Sequence, residues 1–271
     1  MLRLGVVADV HVAPLGEPPA RWHNDYDFVG APERLRRAVA FFAEEGVDGV
    51  VALGDLTHRD DEESRLQVQS LLAGWDGPLW VVPGNHDLAA GLASANESAD
   101  LEAPGARLAG LDIQEADDGF RATSVLPVDS WKDDLTILAS HFPLISRADE
   151  LASRGLPYAG DLVARDALLA ALVSRAAPTV VLSGHLHVRD ACSSGSLLQL
   201  SLAALVEHPF ECAIVEVSSG GDLPLVTRRA EPLATVAHAE RDPLLAPATE
   251  SWGFTGEDWE RVTVALAEAR A

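Results

Sequence analysis

The stretch "PLWVVPGNHDLAAG" at residues 78–91 decides how the rest of the chain is read. An apolar run stops at Pro83 and Gly84, and an amide, an imidazole and a carboxylate follow in Asn85, His86 and Asp87. Three ligand-type side chains at the end of a buried strand are informative only if other segments bring the same chemistry to the same place. Four other apolar runs do. "LRLGVVADVH" (2–11) ends in Asp9 and His11, "VDGVVALGD" (47–55) in Asp55, "DLTILASH" (134–141) in His141, and "PTVVLSGHLH" (178–187) in His185 and His187.

Continuous rather than alternating apolarity indicates strands covered on both faces. Helical patterns lie between them. "PERLRRAVAFFAEEG" (32–46) starts with proline, ends with glycine and repeats Leu35, Val39 and Phe42 at helical spacing; 62–74 and 164–176 behave similarly. This alternation predicts an α/β fold. Segments near 120–128, 197–202, 211–217 and 224–229 read as short strands of a second, more antiparallel sheet. From about 231 a Pro- and Ala-rich stretch leads into "TGEDWERVTVALAEARA", where Thr255 and Asp258 resemble a capping box and Trp259, Val262 and Leu266 mark one helix face. The expected division is a catalytic domain over 1–230 and a C-terminal extension over 231–271 that ends in a helix. With Trp252 and Trp259, that helix either packs into the core or serves as a homodimer interface.

Of 271 residues, 48% are hydrophobic and 23% charged, enough to bury a full core. Twenty basic residues against 42 acidic ones give a net charge of −22, which disfavours extended binding to nucleic acid or anionic membranes. Cys192 and Cys212 are the only cysteines and form no metal-ribbon spacing. The apolar start is too short for a signal peptide, and no run reaches the ~18 residues of a membrane helix. The expectation is a soluble, cytoplasmic protein.

Two aspartates, one asparagine and five histidines therefore meet at strand ends, where open α/β sheets place their sites. Residues i and i+2 of an extended segment point the same way, so Asp9 with His11, and His185 with His187, each offer two ligands from one strand end. Nitrogen and oxygen ligands without thiolate suit Mn, Fe or Zn. The set is too large for one ion and right for two, the usual clamp for displacement at phosphorus.

The order D-x-H, G-D, G-N-H-D, H, G-H-x-H over residues 2–217 resembles the calcineurin-like metallophosphoesterase superfamily, and within it the bacterial class III cyclic nucleotide phosphodiesterases. The resemblance implies a four-layer α/β/β/α sandwich with two mixed sheets and two metal ions at its edge. One ion would take Asp9, His11, Asp55 and His187; the other Asp55, Asn85, His141 and His185. A metal-bridging hydroxide would attack a small phosphodiester or phosphomonoester. His86 would face the substrate and protonate the leaving alkoxide, oriented by Asp87. A nuclease of the same superfamily would want a basic groove, and a catalytically silent metal-binding scaffold would have lost ligands.

His58 stands where several relatives carry aspartate, and Arg59 beside it is either a phosphate contact or a surface residue. In the loop 12–30, His23, Asn24 and Asp25 either line the substrate pocket or are solvated. His208 is near the site or structural, and 88–106 and 143–162 are candidate specificity loops.

Overall fold

The computed structural model describes residues 1–87, 106–123, 126, 128, 131, 135–153, 155–158, 160–175, 177–218 and 225–234, with the backbone of 261–265. The first sheet holds β1 (Leu2–Val7), β2 (Gly49–Ala52), β3 (Leu79–Val81), β11 (Glu211–Ser218), β12 (Leu225–Pro232) and β13 (Arg261–Ala265), in the order β13-β12-β11-β1-β2-β3. The second holds β4 (Ala106–Leu111), β7 (Leu135–Ser140), β8 (Thr179–Ser183), β9 (Asp190–Ser194) and β10 (Leu197–Ser201), in the order β4-β7-β8-β10-β9. A small antiparallel hairpin pairs β5 (Ile113–Ala116) with β6 (Gly119–Ala122). Both large sheets are mixed. β1 pairs parallel with β2 and antiparallel with β11, while β8 pairs parallel with β7 and β10, and β10 antiparallel with β9.

Alternation along each strand builds the layers. Leu4 and Val6 of β1 join Ile137, Val180, Leu182 and Leu200 of the facing sheet in the central core. Val7, Val50, Ala52 and Ile214 point the other way, onto Leu35, Val39 and Phe42 of α1 (Ala31–Glu45) and Val68 and Leu72 of α2 (Glu62–Leu72). On the far side Leu138, Val181 and Leu197 pack under Leu168, Leu169 and Leu172 of α4 (Arg165–Ser174). The result is helix, sheet, sheet, helix. α1 starts with proline in its first turn and ends at Gly46 in the left-handed region (φ 62°), whose N–H reaches the Ala43 and Phe42 carbonyls. α2 is capped by Asp61, which accepts from Ser64 N.

Three expectations change. The later strands do not form a separate antiparallel sheet: β11 and β12 extend the first sheet beyond β1, and the five apolar runs that end in ligand-type residues divide between the two sheets. The expected C-terminal helix gives way to a strand over 261–265, paired antiparallel with β12 from Arg229↔Arg261 to Leu225↔Ala265. Val262, Thr263 and Val264 are consecutive β-branched residues, which suit a sheet edge better than a helix interior. Thr255, Asp258, Trp252, Trp259 and Leu266 lie outside the described residues. The expected boundary at 230/231 falls inside β12. Within 143–162 the chain forms α3 (Ala148–Ser153), and 88–105 lies outside the described residues. No helix among the described residues is long and apolar enough to cross a membrane.

The close fit of α1 on β1 depends on Gly5, where an added Cβ would lie 2.5 Å from Phe42 Cγ. Gly5→Val is expected to cost about 1–3 kcal/mol through overpacking. Urea unfolding monitored by tryptophan fluorescence should show a lower midpoint with an unchanged slope; an unchanged midpoint would mean that the ring gives way freely.

Candidate metal centre

The ligand-type residues lie just beyond the strand ends, in a backbone conformation that side chains other than glycine seldom take. Asp9, His11, Asp55, His185 and His187 have φ of 51°, 49°, 50°, 66° and 55°. The two D-x-H and H-x-H pairs therefore converge through left-handed turns and not through the extended geometry expected from their spacing. Each such residue costs on the order of 1–3 kcal/mol unless its surroundings hold it, and such positions cluster at functional sites. Here the surroundings do hold them. Asp9 N donates to the Gly54 carbonyl (3.1 Å), His11 N to Asp55 O (2.9 Å) and Gly184 N to His141 O (3.1 Å). Gly54 and Gly84 let two turns touch, since a Cβ on Gly84 would collide with the Asp55 backbone and carboxylate.

Asp9, His11, Asp55, His141, His185 and His187 are all buried. Asp55 Oδ1 accepts from His86 N (2.8 Å), and Oδ2 faces His141 Nε2 (3.4 Å) and His11 Nε2 (3.6 Å). Asp9 accepts from His185 N with both oxygens (3.1 Å each), and its Oδ1 lies 3.3 Å from His187 Nε2. Asn85 Oδ1 is 3.0 Å from His141 Nε2. Two imidazoles are oriented from behind: His141 Nδ1 donates to the Leu53 carbonyl (2.8 Å), and His187 Nδ1 to Glu207 Oε1 (2.5 Å). Such partners fix the tautomer that leaves Nε2 with its lone pair toward the site.

This donor set fits metal ions on its own evidence. His11 Nε2 is buried with no hydrogen-bond partner among the described residues, an arrangement that costs free energy unless something else binds it. Asp9, His11 and His187 can bring one atom each within 4.8 Å of one another, and so can Asp9, Asp55 and His141. His11, His58 and His86 come as close to one another. His86 Nδ1 is, however, already given to the His58 carbonyl, and the His58 and His86 rings stack with an interplanar angle of 17°. Cys192 and Cys212 are free, and Cys212 packs in the α1 layer.

The site's protonation follows from its charges. Burial disfavours the charged form of His141, yet the Asp55 charge outweighs it and raises the imidazole to about 9. His187 is likewise raised to about 10, against burial, by Asp9 and Glu207. His185 is pushed down to about 3 by burial and by the His141 charge. His11 is driven well below its ordinary value by burial. The neighbouring histidines carry Asp55 well below the usual carboxylate range, against burial. Without metal, protons on His141 and His187 thus balance the buried carboxylates.

His86 is half-buried, 4.8 Å edge-on from the His11 ring, and its Nδ1 donates to the His58 carbonyl (2.7 Å). That bond supplies the orientation expected from Asp87. The Asp87 carboxylate turns inward instead, accepting from Leu56 N, Thr57 N and Thr57 Oγ1 (2.8 Å each), so it shapes the turn that presents Asp55. Burial and the Asp55 charge raise it to about 6. His58 Nδ1 lies 3.3 Å from His11 Nδ1. Arg59 is not poised for phosphate: its guanidinium binds the nearly buried Glu17 (2.6–2.8 Å). His23 Nε2 donates to the Leu186 carbonyl (2.8 Å), and Asn24 is bound to Glu207 and His208, so both fasten the loop 12–30. Asp25 is exposed. Glu207 and Tyr26, whose ring lies 5.2 Å from His11 and 5.7 Å from His187, went unrecognised in the sequence. Glu207 adjoins His208 but carries no motif, and a buried role shows only in the folded chain.

A sequence profile of calcineurin-like phosphoesterases matches residues 2–189, and the chain belongs to that family of metal-dependent phosphoester hydrolases. Among solved structures, a dimetal phosphatase from Danio rerio matches with a TM-score of 0.68 and 16% identity, over 98% of this chain and 99% of that one, which shows a common fold. A protein from Thermus thermophilus matches more loosely, with a TM-score of 0.49 and 15% identity over 86% of this chain and 99% of that one. No curated protein gives a significant sequence match.

The raised His141 and His187 fix a pH dependence. Both fold with values above the ordinary 6.5, so their contribution is fully present below that pH and is lost as pH rises through about 9 and 10. The melting temperature of the metal-free protein should fall between pH 7 and 10. Metal-loaded protein should fall less, because the ions replace those protons. Parallel curves with and without chelator would contradict this.

Proposed function

We propose that the chain is a dinuclear phosphoesterase that hydrolyses small phosphodiesters, cyclic-nucleotide-like ones among them, with phosphomonoesters as the second reading. The observation that carries it is the buried cluster around Asp9 and Asp55 with half-buried His86 at its edge. One ion position draws on Asp9, His11, Asp55 and His187, the other on Asp55, Asn85, His141 and His185. Mn, Fe and Zn all suit these ligands. Ions held there would acidify water as a nucleophile and neutralise the charge that develops on the phosphoryl oxygens.

The chain's own residues supply the rest. His86 holds its Nδ1 proton on the His58 carbonyl, so Nε2 is the atom that delivers a proton to the leaving oxygen. Asn85 adds a neutral oxygen ligand without further negative charge. The pairing of Arg59 with Glu17 favours the singly charged diester over the doubly charged monoester, since that arginine is already neutralised. The net charge of −22 weighs against a nuclease, and the complete ligand set against a silent scaffold.

Hydrolysis of bis(p-nitrophenyl) phosphate beside p-nitrophenyl phosphate, with Mn added, tests the reading. The wild type should favour the diester. His86→Ala should lower kcat by roughly 10²–10⁴-fold, the usual worth of a general acid, while still binding metal. Asn85→Ala should lower both metal content and rate. Monoester-only turnover would select the second reading, and no turnover with Mn, Fe or Zn would sink both.

A further inference from the structure

Glu207 is a fully buried carboxylate that orients His187 with one oxygen and has a second contact the phosphoesterase reading does not use. It lies between β10 and β11, in a segment pinned beneath the ligands: Leu205 N and Val206 N both donate to the Asp9 carbonyl, at 3.2 and 3.1 Å. Its Oε1 accepts from His187 Nδ1 at 2.5 Å. Its Oε2 accepts from the backbone N–H of Asn24, in the loop that carries Tyr26 over the site. The same loop is fastened to this segment by Asn24 Nδ2 on the His208 carbonyl (3.3 Å) and by Asp27 N on the Val206 carbonyl (2.8 Å). One carboxylate thus touches a metal-ligand imidazole with one oxygen and the substrate-side loop with the other.

We infer that Glu207 is a positioning residue that sets the affinity of the ion position at Asp9, His11 and His187 and couples its occupancy to the docking of residues 21–28. The inference rests on the dinuclear reading. A cation on His187 Nε2 would take the place of the proton held there and fix the ring in one position, with its Nδ1–H kept on Glu207. The carboxylate is then fixed with the ring, and with it the acceptor on which Asn24 N–H rests. By linkage, a docked loop in turn favours the ion.

Glu207→Gln keeps size and one acceptor but presents an amide N–H₂ to one of two donors. Calorimetric titration with Mn, and hydrogen exchange of residues 21–28 with and without Mn, read the two halves of the proposal. In the wild type, two ions should bind and Mn should slow exchange at Asn24. In the variant, one ion should bind about 10–100-fold more weakly, the other should be unchanged, and the loop should no longer respond to Mn. The retained ion reports that the variant is folded; if Gln does not fold, Glu207→Asp carries the same test, because the shorter side chain cannot span both partners. Wild-type affinities for both ions in the variant, equal weakening of both, or a wild-type loop indifferent to Mn would overturn the inference. Fewer than two ions in the wild type would instead overturn the dinuclear reading on which it rests.

Discussion

Buried carboxylate charge is the constraint around which this fold is arranged. Asp9 and Asp55 are both withdrawn from water, and a buried charge is strongly unfavourable unless it is paired and hydrogen-bonded. The chain meets that demand with turns from both sheets: His185 N and His86 N donate to the two carboxylates, and four imidazoles surround them. Left-handed backbone at Asp9, His11, Asp55, His185 and His187 and the contact of Gly84 with Asp55 follow from bringing so many polar groups to one point. The strain is local, and the sandwich core below it is rigid enough to hold it.

Charge also explains how an acidic protein can attract a phosphate ester. Asp9, Asp55 and Glu207 place three negative charges in the site, and two divalent ions would leave a small local positive excess. In an otherwise negative surface, such a spot focuses small anions while long polyanions meet repulsion elsewhere. The bond between Glu17 and Arg59 at the rim keeps the excess small, in keeping with a singly charged ester.

Much of this was legible in the sequence, for a physical reason. Strands buried on both faces read as continuous apolar runs, and polar side chains cluster where such runs end, so the meeting of Asp9, His11, Asp55, Asn85, His141, His185 and His187 could be read from their positions. The sheet to which each strand belongs was less legible, because valine-rich runs look alike in β1 and β8. Roles that depend on contacts distant in sequence were hidden altogether. Glu207 meets His187 across 20 residues and Asn24 across 183, and Asp87 chose the backbone of Leu56 and Thr57 over its neighbour His86. At the C-terminus, helical spacing of Trp259, Val262 and Leu266 competed with the β-branched run Val262-Thr263-Val264, and pairing with β12 decided for the strand.

The central claim is that Asp55 lies between two ions. Anomalous diffraction from crystals soaked in Mn tests it most directly. The account predicts two peaks about 3.5–4 Å apart, one beside Asp9, His11 and His187 and the other beside Asn85, His141 and His185, with Asp55 touching both. A single peak, or density held by His58 and His86 away from Asp55, would contradict it.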